Sequence, residues 1–244
     1  MNSDFYNTYF EVEKSHWWFK VRRNIIFSIL SKYKIEKDKK ILDYGCGSGF
    51  FVGQLQKKSF NAYGMDISKK AIECGIGRGV KNLFQENEMK VNFPDSYFNV
   101  ILAMDVIEHI EDDKSAIREL RKLLKSDGYL IITVPAYQWM WGIQDEATHH
   151  YRRYTTNSIS GLVKNFPDLR ILKKTYFNTF LFLPVALVRL MSKWLNIKNR
   201  ESDFDINNKF INAIFYSIFN LESQFIRFTN FPFGVSILLV LKKK

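Results

Sequence analysis

The segment ILDYGCGSG, residues 41–49, decides the fold class of this chain. It reads as an apolar strand that ends at Asp43, followed by a turn with alternating glycines and then by the helical pattern of FVGQLQKK. The glycines are Gly45, Gly47 and Gly49. Because glycine has no Cβ, such a turn can bring the backbone close to a ligand. The order of strand, glycine turn and helix therefore predicts a nucleotide-type cofactor at this point.

The spacing of the glycines separates two kinds of nucleotide cofactor. A dinucleotide fingerprint G-x-G-x-x-G needs a third glycine where this chain has Phe50, which makes NAD the second candidate. The next strand, in NAYGMDIS, ends at Asp66, and Ser68 is predicted to cap the helix that follows. Asp66 comes about 20 residues after the glycines, the spacing of a carboxylate that binds ribose hydroxyls. The glycine turn without Asp66 would also fit a simple tight connection.

Apolar strand-like runs alternate with helical patterns between residues 40 and 136, and this alternation predicts an α/β fold with a parallel sheet covered on both faces. The third, fourth and fifth strands are predicted in VKNLFQ, FNVILAMDV and YLIITVP. Two later strands, in DLRILKKTYFN and FGVSILLVLKKK, flank an apolar helical insertion. We expect a single domain made of an N-terminal helical lid (1–39), a cofactor-binding core (40–178), an apolar and basic helical insertion (179–232) and the last strand (233–244).

The segment SHWWFKVRRNIIFSIL predicts the helix of the lid. One apolar stripe of this helix contains Trp18, Val21, Ile25 and Ile29. The basic residues that are predicted to face away from this stripe are Lys20, Arg22 and Arg23. In the core, helical spacing of Ile117, Leu120 and Leu124 predicts a second amphipathic helix, which is capped by Asp112 or Asp113 and ends before Asp127 and Gly128.

The motif D-x-G-x-G-x-G, carried by Asp43 and the three glycines, resembles that of the class I S-adenosylmethionine-dependent methyltransferases. Over residues 40–136 the chain looks most like small bacterial enzymes of the methyltransferase-11-like and ubiquinone-biosynthesis groups. The resemblance implies a Rossmann-like sheet, mostly parallel with an antiparallel last strand, and S-adenosyl-L-methionine as cofactor. The cofactor contacts that it implies are Asp43, Gly45, Cys46, Gly47, Gly49, Asp66, Ile67, Asn87, Glu88 and Met104.

The family's segment after strand four, D-x-x-E-H, appears here as Asp105, Glu108 and His109. If this turn is helical, the three side chains project from one face and have the chemistry of a divalent metal site. In the ubiquinone O-methyltransferases a similar constellation is associated with a magnesium-type ion. The same string is widespread in metal-free relatives, so the sequence favours His109 as a general base or a pocket-lining residue over a metal site.

The segment DEATHHYRRYT, residues 145–155, follows the fifth strand and is predicted to hold the methyl acceptor, since loops at the carboxyl ends of strands face the ligand crevice. His149 or His150 would remove a hydroxyl proton. Arg152 and Arg153 suit a phosphate or carboxylate of the acceptor. Trp141 and Trp17 are predicted aromatic contacts to it. The alternative is a surface loop whose opposite charges pair locally.

The net charge of +11 is concentrated in residues 151–244, which hold 15 basic and 5 acidic residues. The same part contains the apolar runs FLFLPVALVRLM and FINAIFYSIF, which are shorter than the roughly 18 to 20 apolar residues of a spanning helix. One interpretation is an interfacial surface on an anionic membrane, with Arg189, Lys193 and Lys198 at the head groups. The other is a pair of ordinary core helices with solvated basic edges.

The remaining composition bears on the cellular compartment. Two cysteines cannot build a disulfide scaffold, and the N-terminal residues lack the apolar stretch of a signal peptide. We therefore expect a cytoplasmic protein, peripheral on the inner face of the membrane.

Together these observations predict an S-adenosylmethionine-dependent enzyme that O-methylates a small or lipid-linked acceptor. A nucleic-acid methyltransferase is the second possibility, because the isoelectric point is near 9.5 and aromatic residues interleave with basic ones. The residues after strand four, Ala103 to Val106, lack the Asn/Asp-Pro-Pro-Tyr-like turn of an enzyme that stacks a flipped base, which disfavours a nucleic-acid partner. The third possibility is a non-catalytic cofactor-binding module at a membrane.

Overall fold

A computed structural model describes residues 11–85, 93–194 and 209–244. Its centre is one seven-stranded sheet with the strand order β3-β2-β1-β4-β5-β7-β6. The strands are β1 (Lys40–Tyr44), β2 (Asn61–Asp66), β3 (Leu83–Gln85), β4 (Phe98–Met104), β5 (Leu124–Pro135), β6 (Leu169–Phe177) and β7 (Ser236–Lys243). Strand β7 runs antiparallel to both of its neighbours, β5 and β6, whereas the other pairs are parallel. The predicted Rossmann-like sheet with an antiparallel last strand is confirmed.

Helices cover the sheet on both faces. They are α1 (Trp17–Lys32), α2 (Phe50–Lys57), α3 (Lys69–Gly77), α4 (Asp113–Leu123), α5 (Ile143–Ala147), α6 (Thr156–Val163), α7 (Phe182–Trp194) and α8 (Lys209–Ile226). Residues 11–15 are also helical, and two short 3-10 turns span Ile107–His109 and Gln138–Met140. The predicted caps are present, since Ser68 accepts a hydrogen bond from the Ala71 amide and Asp112 accepts one from the Ser115 amide.

The sheet is apolar on both faces, which is the reason that its central strands read as continuous apolar runs. Strand β4 pairs with β1 through Leu102 opposite Asp43 and Ala103 opposite Tyr44. Because β1, β2, β4, β5 and β6 run in one direction, their carboxyl ends meet at one edge. The first residue of β7, Ser236, lies opposite Pro135 at that edge. This arrangement places the glycine turn, the segment after β4 and the segment after β5 together.

Strand β5 is longer than the sequence predicts. It begins at Leu124, next to the end of α4, and includes Asp127 in a left-handed conformation with φ 60°. Leu124, predicted as the last apolar residue of the helix, is fully buried and pairs with Phe98 of β4. Asp127 and Gly128, which the sequence predicts to follow the end of the helix, therefore lie within strand β5, where the pairing with β4 is irregular.

The lid helix α1 is buried more deeply than its amphipathic pattern predicts. Val21, Ile25 and Ile29 are fully buried, as expected. Arg22 and Arg23, predicted to face away from the core, are buried as well, with 8% and 9% of their surface exposed. Both have polar partners there: Arg22 donates to the backbone oxygen of Met104 at the end of β4, and Arg23 donates to the backbone oxygen of Glu13 in the lid.

The described part of the insertion between β6 and β7 contains the helices α7 and α8. Helix α8 packs against α1, where the Trp17 ring meets Phe215 and Phe219 edge to face at 5.4 and 5.7 Å. Within the described ranges no helix is both long and apolar enough to cross a membrane. Arg189 points inward and not toward solvent, which corrects the prediction that it meets head groups. Lys198 and the side chain of Lys193 lie outside what the structure describes.

Candidate functional site

The turn after β1 has the conformation that its glycines predict. Gly45, Gly47 and Gly49 all have positive φ, at 70°, 55° and 70°. A Cβ at Gly45 would lie 2.4 Å from Val106, and one at Gly49 would lie 2.7 Å from Leu83. A Cβ at Gly47 would meet nothing within 4 Å. Two glycines are thus required by the packing of the turn, whereas Gly47 borders open space where a ligand fits.

Asp66, at the end of β2, is hydrogen-bonded to this turn. Its carboxylate accepts hydrogen bonds from the amides of Gly47 and Ser68, both at 2.8 Å. Burial raises the pKa of Asp66, and the two amides oppose that shift. Ile67, which follows it, is 71% exposed. Asp66 is therefore next to the turn, as the spacing predicts, and its bonding to ribose hydroxyls remains a prediction.

A cavity of about 500 Å³ opens at this edge of the sheet. Around the glycine turn it is lined by Asp43, Gly45, Cys46, Gly47 and Met104, all predicted cofactor contacts, whereas the predicted contacts Gly49, Asp66 and Ile67 do not line it. Its apolar wall comes from the lid and the insertion, through Trp17, Leu181, Val185, Val188 and Phe215. The predicted contacts Asn87 and Glu88 lie outside the described residues. A cavity lined by both polar and apolar side chains suits a polar cofactor next to a largely apolar acceptor.

Two carboxyl groups beside the cofactor side of the cavity are protonated more easily than usual. Burial raises the pKa of Asp43 to about 8 and that of Glu13 to about 7, and in both cases the charge of Arg22 opposes the shift. Glu13 comes from the lid and accepts a hydrogen bond of 3.4 Å from Ser48 in the glycine turn. The lid is thereby joined to the cofactor turn by a buried polar contact.

Arg22 joins the lid to the segment after β4. Its guanidinium forms an ion pair with Asp105 and donates to the backbone oxygen of Met104 at 3.4 Å. It also lies over the ring of Trp18, 4.6 Å from the ring centroid. Sequence reasoning missed Glu13 and Arg22 as site residues. Nothing in the local pattern of the lid distinguishes these charges from the exposed ones.

Two histidines, His109 and His150, meet in the wall of the cavity. The rings of His109 and His150 pack edge to face with their centroids 4.5 Å apart. His150 Nδ1 lies 2.8 Å from the Asp145 carboxylate, and His109 Nδ1 lies 2.8 Å from the carbonyl oxygen of Thr148. Both partners only accept hydrogen bonds, so each Nδ1 carries the proton and each Nε2 is left as the acceptor. Burial lowers the pKa of His109 to about 4.

Known proteins resemble this chain in both sequence and structure. Residues 19–173 match the family model described as a methyltransferase domain. The chain belongs to the class I S-adenosylmethionine-dependent methyltransferases. The cofactor of this methyltransferase is therefore S-adenosylmethionine, and the open space over Gly47 fits such a group.

The alignments with individual relatives cover different fractions of this chain and of the relatives. A ubiquinone biosynthesis O-methyltransferase of Pelagibacter ubique is 36% identical over 119 residues, which is 46% of this chain and 49% of that protein. The match thus spans about half the length of that relative. An uncharacterized protein of Methanocaldococcus jannaschii is 30% identical over 71% of this chain and 76% of its own length. The structure of an S-adenosylmethionine-dependent methyltransferase from Archaeoglobus fulgidus has the same fold, with a TM-score of 0.57, 16% identity and coverage of 97% and 99%.

The methyltransferase does not bring every predicted acceptor residue to the cavity. His149 is exposed, with a left-handed φ of 56°, whereas its neighbour His150 lines the cavity. Arg152 pairs with Asp113 at 3.0 Å, outside the cavity wall. Trp141 is also absent from that wall. Arg153 lines the cavity but pairs with the buried carboxylate of Asp145 at 2.8 Å. Arg153 therefore pairs with an acid of the same segment, whereas the partner of Arg152 lies outside the segment, on α4.

The D-x-x-E-H segment is arranged differently from the prediction. Asp105 has a left-handed φ of 56°, and only Ile107–His109 forms a 3-10 turn, so Asp105 turns to Arg22. The ligand atoms of Glu108, His109 and His150 lie within 4.8 Å of one another instead. Within the described part of the chain neither side-chain oxygen of Glu108 has a hydrogen-bond partner, and burial raises its pKa well above the usual range. Asp105 thus does not join Glu108 and His109 in one cluster, and the preference for His109 as a general base or pocket-lining residue over a metal site remains a prediction.

Proposed function

We propose that this methyltransferase O-methylates a lipid-linked acceptor at the surface of an anionic membrane, with His150 as the proton acceptor. The observation that carries the proposal is the position of His150 in the cavity that the glycine turn also lines. When bound, S-adenosylmethionine supplies a methyl group on a sulfonium, which an acceptor oxygen displaces in line, leaving S-adenosylhomocysteine and a methyl ether. The protein has to orient the two reactants and take up the hydroxyl proton.

His150 is better suited than His109 to take up this proton. Its Nε2 is the acceptor because Nδ1 is held by Asp145, and the carboxylate stabilises the imidazolium that forms when Nε2 is protonated. His109 has a carbonyl partner instead of a carboxylate, and its pKa of about 4 makes it a weak base at neutral pH. We assign His109 to packing against the ring of His150.

Two features support a lipid-linked acceptor. The lid and the insertion give the cavity an apolar wall, formed in part by Val185 and Val188 of α7. The outer side of α7 carries a stripe of large apolar side chains, 50% to 85% exposed, at helical spacing. The stripe consists of Leu183, Leu187, Leu190, Met191 and Trp194. An apolar chain attached to the acceptor can lie along the wall of the cavity while the stripe enters the bilayer interface.

The partner surface is an anionic bilayer. Large apolar side chains are exposed on α8 as well, at Phe210, Ile214, Leu221 and Phe225. Exposed basic residues near the two ends of this helix, Lys209 and Arg227, suit anionic head groups. The name of the Pelagibacter relative supports oxygen as the methylated atom. The protein would act as a peripheral enzyme on the cytoplasmic face.

Methyl transfer from radiolabelled S-adenosylmethionine into a lysate of the source cell tests this proposal. We expect the label in the organic-soluble fraction. Label in small aqueous metabolites would contradict the lipid-linked acceptor, and nuclease-sensitive macromolecular label would favour the nucleic-acid alternative. Binding of S-adenosylhomocysteine without any transfer would favour the non-catalytic module.

A further inference from the structure

The carboxylate of Asp145 is shared by several elements of the acceptor side. The side chain is fully buried. One oxygen accepts hydrogen bonds from His150 Nδ1 and Arg153 Nε, each at 2.8 Å. The other accepts from the Gly142 amide at 2.7 Å and from Arg189 Nη1 at 3.2 Å. Burial opposes ionisation, but the bonds from His150 and Arg153 hold the pKa of Asp145 well below its usual range. Asp145 is therefore a buried anion with four donors.

Arg189 reaches this carboxylate from α7, which belongs to the insertion. Its neighbours Val188 and Leu190 are each 50% exposed, whereas the Arg189 side chain is only 12% exposed. The same guanidinium donates to the backbone oxygen of Met140 at 3.1 Å. The charged group of Arg189 thus faces the interior, on the side of α7 opposite to its exposed apolar stripe.

The residue at position 142 is a second observation that supports the contact between Arg189 and Asp145. Its φ of −154° is extended backbone, which any residue can adopt, so the conformation does not require glycine. A Cβ at this position would lie 2.3 Å from Arg189 Nη1. Glycine at position 142 therefore leaves the space that the guanidinium of Arg189 occupies.

We propose that Arg189 is a positioning residue for His150, acting through the carboxylate of Asp145. The inference rests on the proposed function, in which His150 takes the acceptor proton. Arg189 fixes the oxygen of Asp145 that His150 does not use, and this holds the carboxylate at the angle at which it orients the imidazole. Arg189 lies on α7, the helix proposed to enter the bilayer interface. A displacement of α7 would therefore move Arg189 and, through the shared carboxylate of Asp145, change the orientation of His150.

The test compares Arg189→Met with Arg189→Lys and with Gly142→Ala, which leaves Arg189 in the chain but takes its space. Arg118→Met is the matched control, because Arg118 is exposed on α4. Arg153 still pairs with Asp145 in all of these proteins, so a buried cation continues to balance the carboxylate. The first readout is the NMR signal of the His150 Nδ1 proton, assigned with His150→Gln, which does not depend on any acceptor. The second is kcat and KM for the acceptor.

In Arg189→Met and Gly142→Ala we expect the His150 proton signal to shift or to broaden by exchange. We expect kcat to fall about 10- to 100-fold with KM for the acceptor unchanged. Arg189→Lys should keep most of the wild-type His150 signal and most of the wild-type kcat. An unchanged signal in Arg189→Met and Gly142→Ala, with kcat equal to that of Arg118→Met, would overturn the inference. A shifted signal in an enzyme that shows no methyl transfer even as wild type would overturn the proposed function and leave the coupling of Arg189 to His150 intact.

Discussion

The Gly47 amide donates a 2.8 Å hydrogen bond to the carboxylate of Asp66, so the end of β2 is tied directly to the glycine turn after β1. The bond crosses between two adjacent parallel strands at the edge where the cavity opens. One carboxylate therefore shapes the turn and is also the group predicted to bind the ribose of the cofactor.

Replacing Asp66 tests its predicted role in cofactor binding. We expect Asp66→Ala to weaken S-adenosylhomocysteine binding by at least about 100-fold, since a partly buried, charged hydrogen-bond acceptor is removed from the turn and from the ligand. The fold should be retained, because Asp66 lies at a strand end. Isothermal calorimetry and circular dichroism measure the two effects. Unchanged affinity in a folded variant would contradict the ribose assignment.

The three glycines of the turn should respond differently to alanine. Gly45→Ala and Gly49→Ala place a methyl group against Val106 and Leu83, so both variants should unfold at lower temperature than the wild type. In Gly47→Ala the added methyl group has no neighbouring atom within 4 Å. The only cost is the left-handed backbone conformation, which lowers the free energy of unfolding by about 1 kcal/mol. It should fold and yet bind S-adenosylhomocysteine more weakly, as calorimetry would show. Full affinity in Gly47→Ala would mean that the cofactor does not lie over this residue.

The stability of the protein should fall as pH rises toward neutrality. The pKa of buried Glu13 is raised from 4.5 to about 7, so the folded state holds a proton that the unfolded chain has already released in this window. This group alone lowers the free energy of unfolding by at most about 3 kcal/mol between about pH 5 and pH 8. Asp43, with a pKa of about 8, acts in the same direction.

Urea unfolding at the two pH values measures this effect. In Glu13→Gln the decrease should be smaller than in the wild type, because that side chain no longer titrates. A decrease equally steep in both proteins would show that Glu13 is already charged in the folded state.

The exposed stripe of α7 should govern binding to vesicles. The double variant Leu187→Gln/Leu190→Gln should partition at least about tenfold more weakly onto vesicles of anionic and neutral phospholipid, because two leucines leave the interface. Ile76→Gln on α3 is the matched control, since Ile76 is 55% exposed but lies on a different helix. Sedimentation with vesicles measures the partitioning. Equal binding of both variants would contradict the role of α7.

The strands, the glycine turn and the caps could be predicted because their signals are local. Apolar runs, glycine spacing and capping residues such as Ser68 act within a few positions of the chain. The family resemblance then supplied the antiparallel last strand and the cofactor. The place of Asp66 next to the turn follows from the same βαβ unit, since β1 and β2 are neighbours in the sheet.

The acceptor side could be predicted only in part because it is assembled by distant contacts. Arg22 and Asp105 are separated by 83 positions, and Arg189 and Asp145 by 44. Local patterns do not show which basic residue of an amphipathic helix will meet a buried acid. His149 and His150 are adjacent in the sequence, yet His150 lines the cavity and contacts Asp145, whereas His149 is exposed.

The pair of adjacent histidines also offers the most direct test of the account, because one lines the cavity and the other is exposed. The measurement is kcat for methyl transfer to the isolated acceptor by His150→Gln and His149→Gln, with S-adenosylhomocysteine affinity as the control for an intact cofactor site. We predict that His150→Gln lowers kcat about 10²- to 10⁴-fold with unchanged affinity, whereas His149→Gln matches the wild type. Equal activity of the two variants would contradict the assignment of His150 as the proton acceptor.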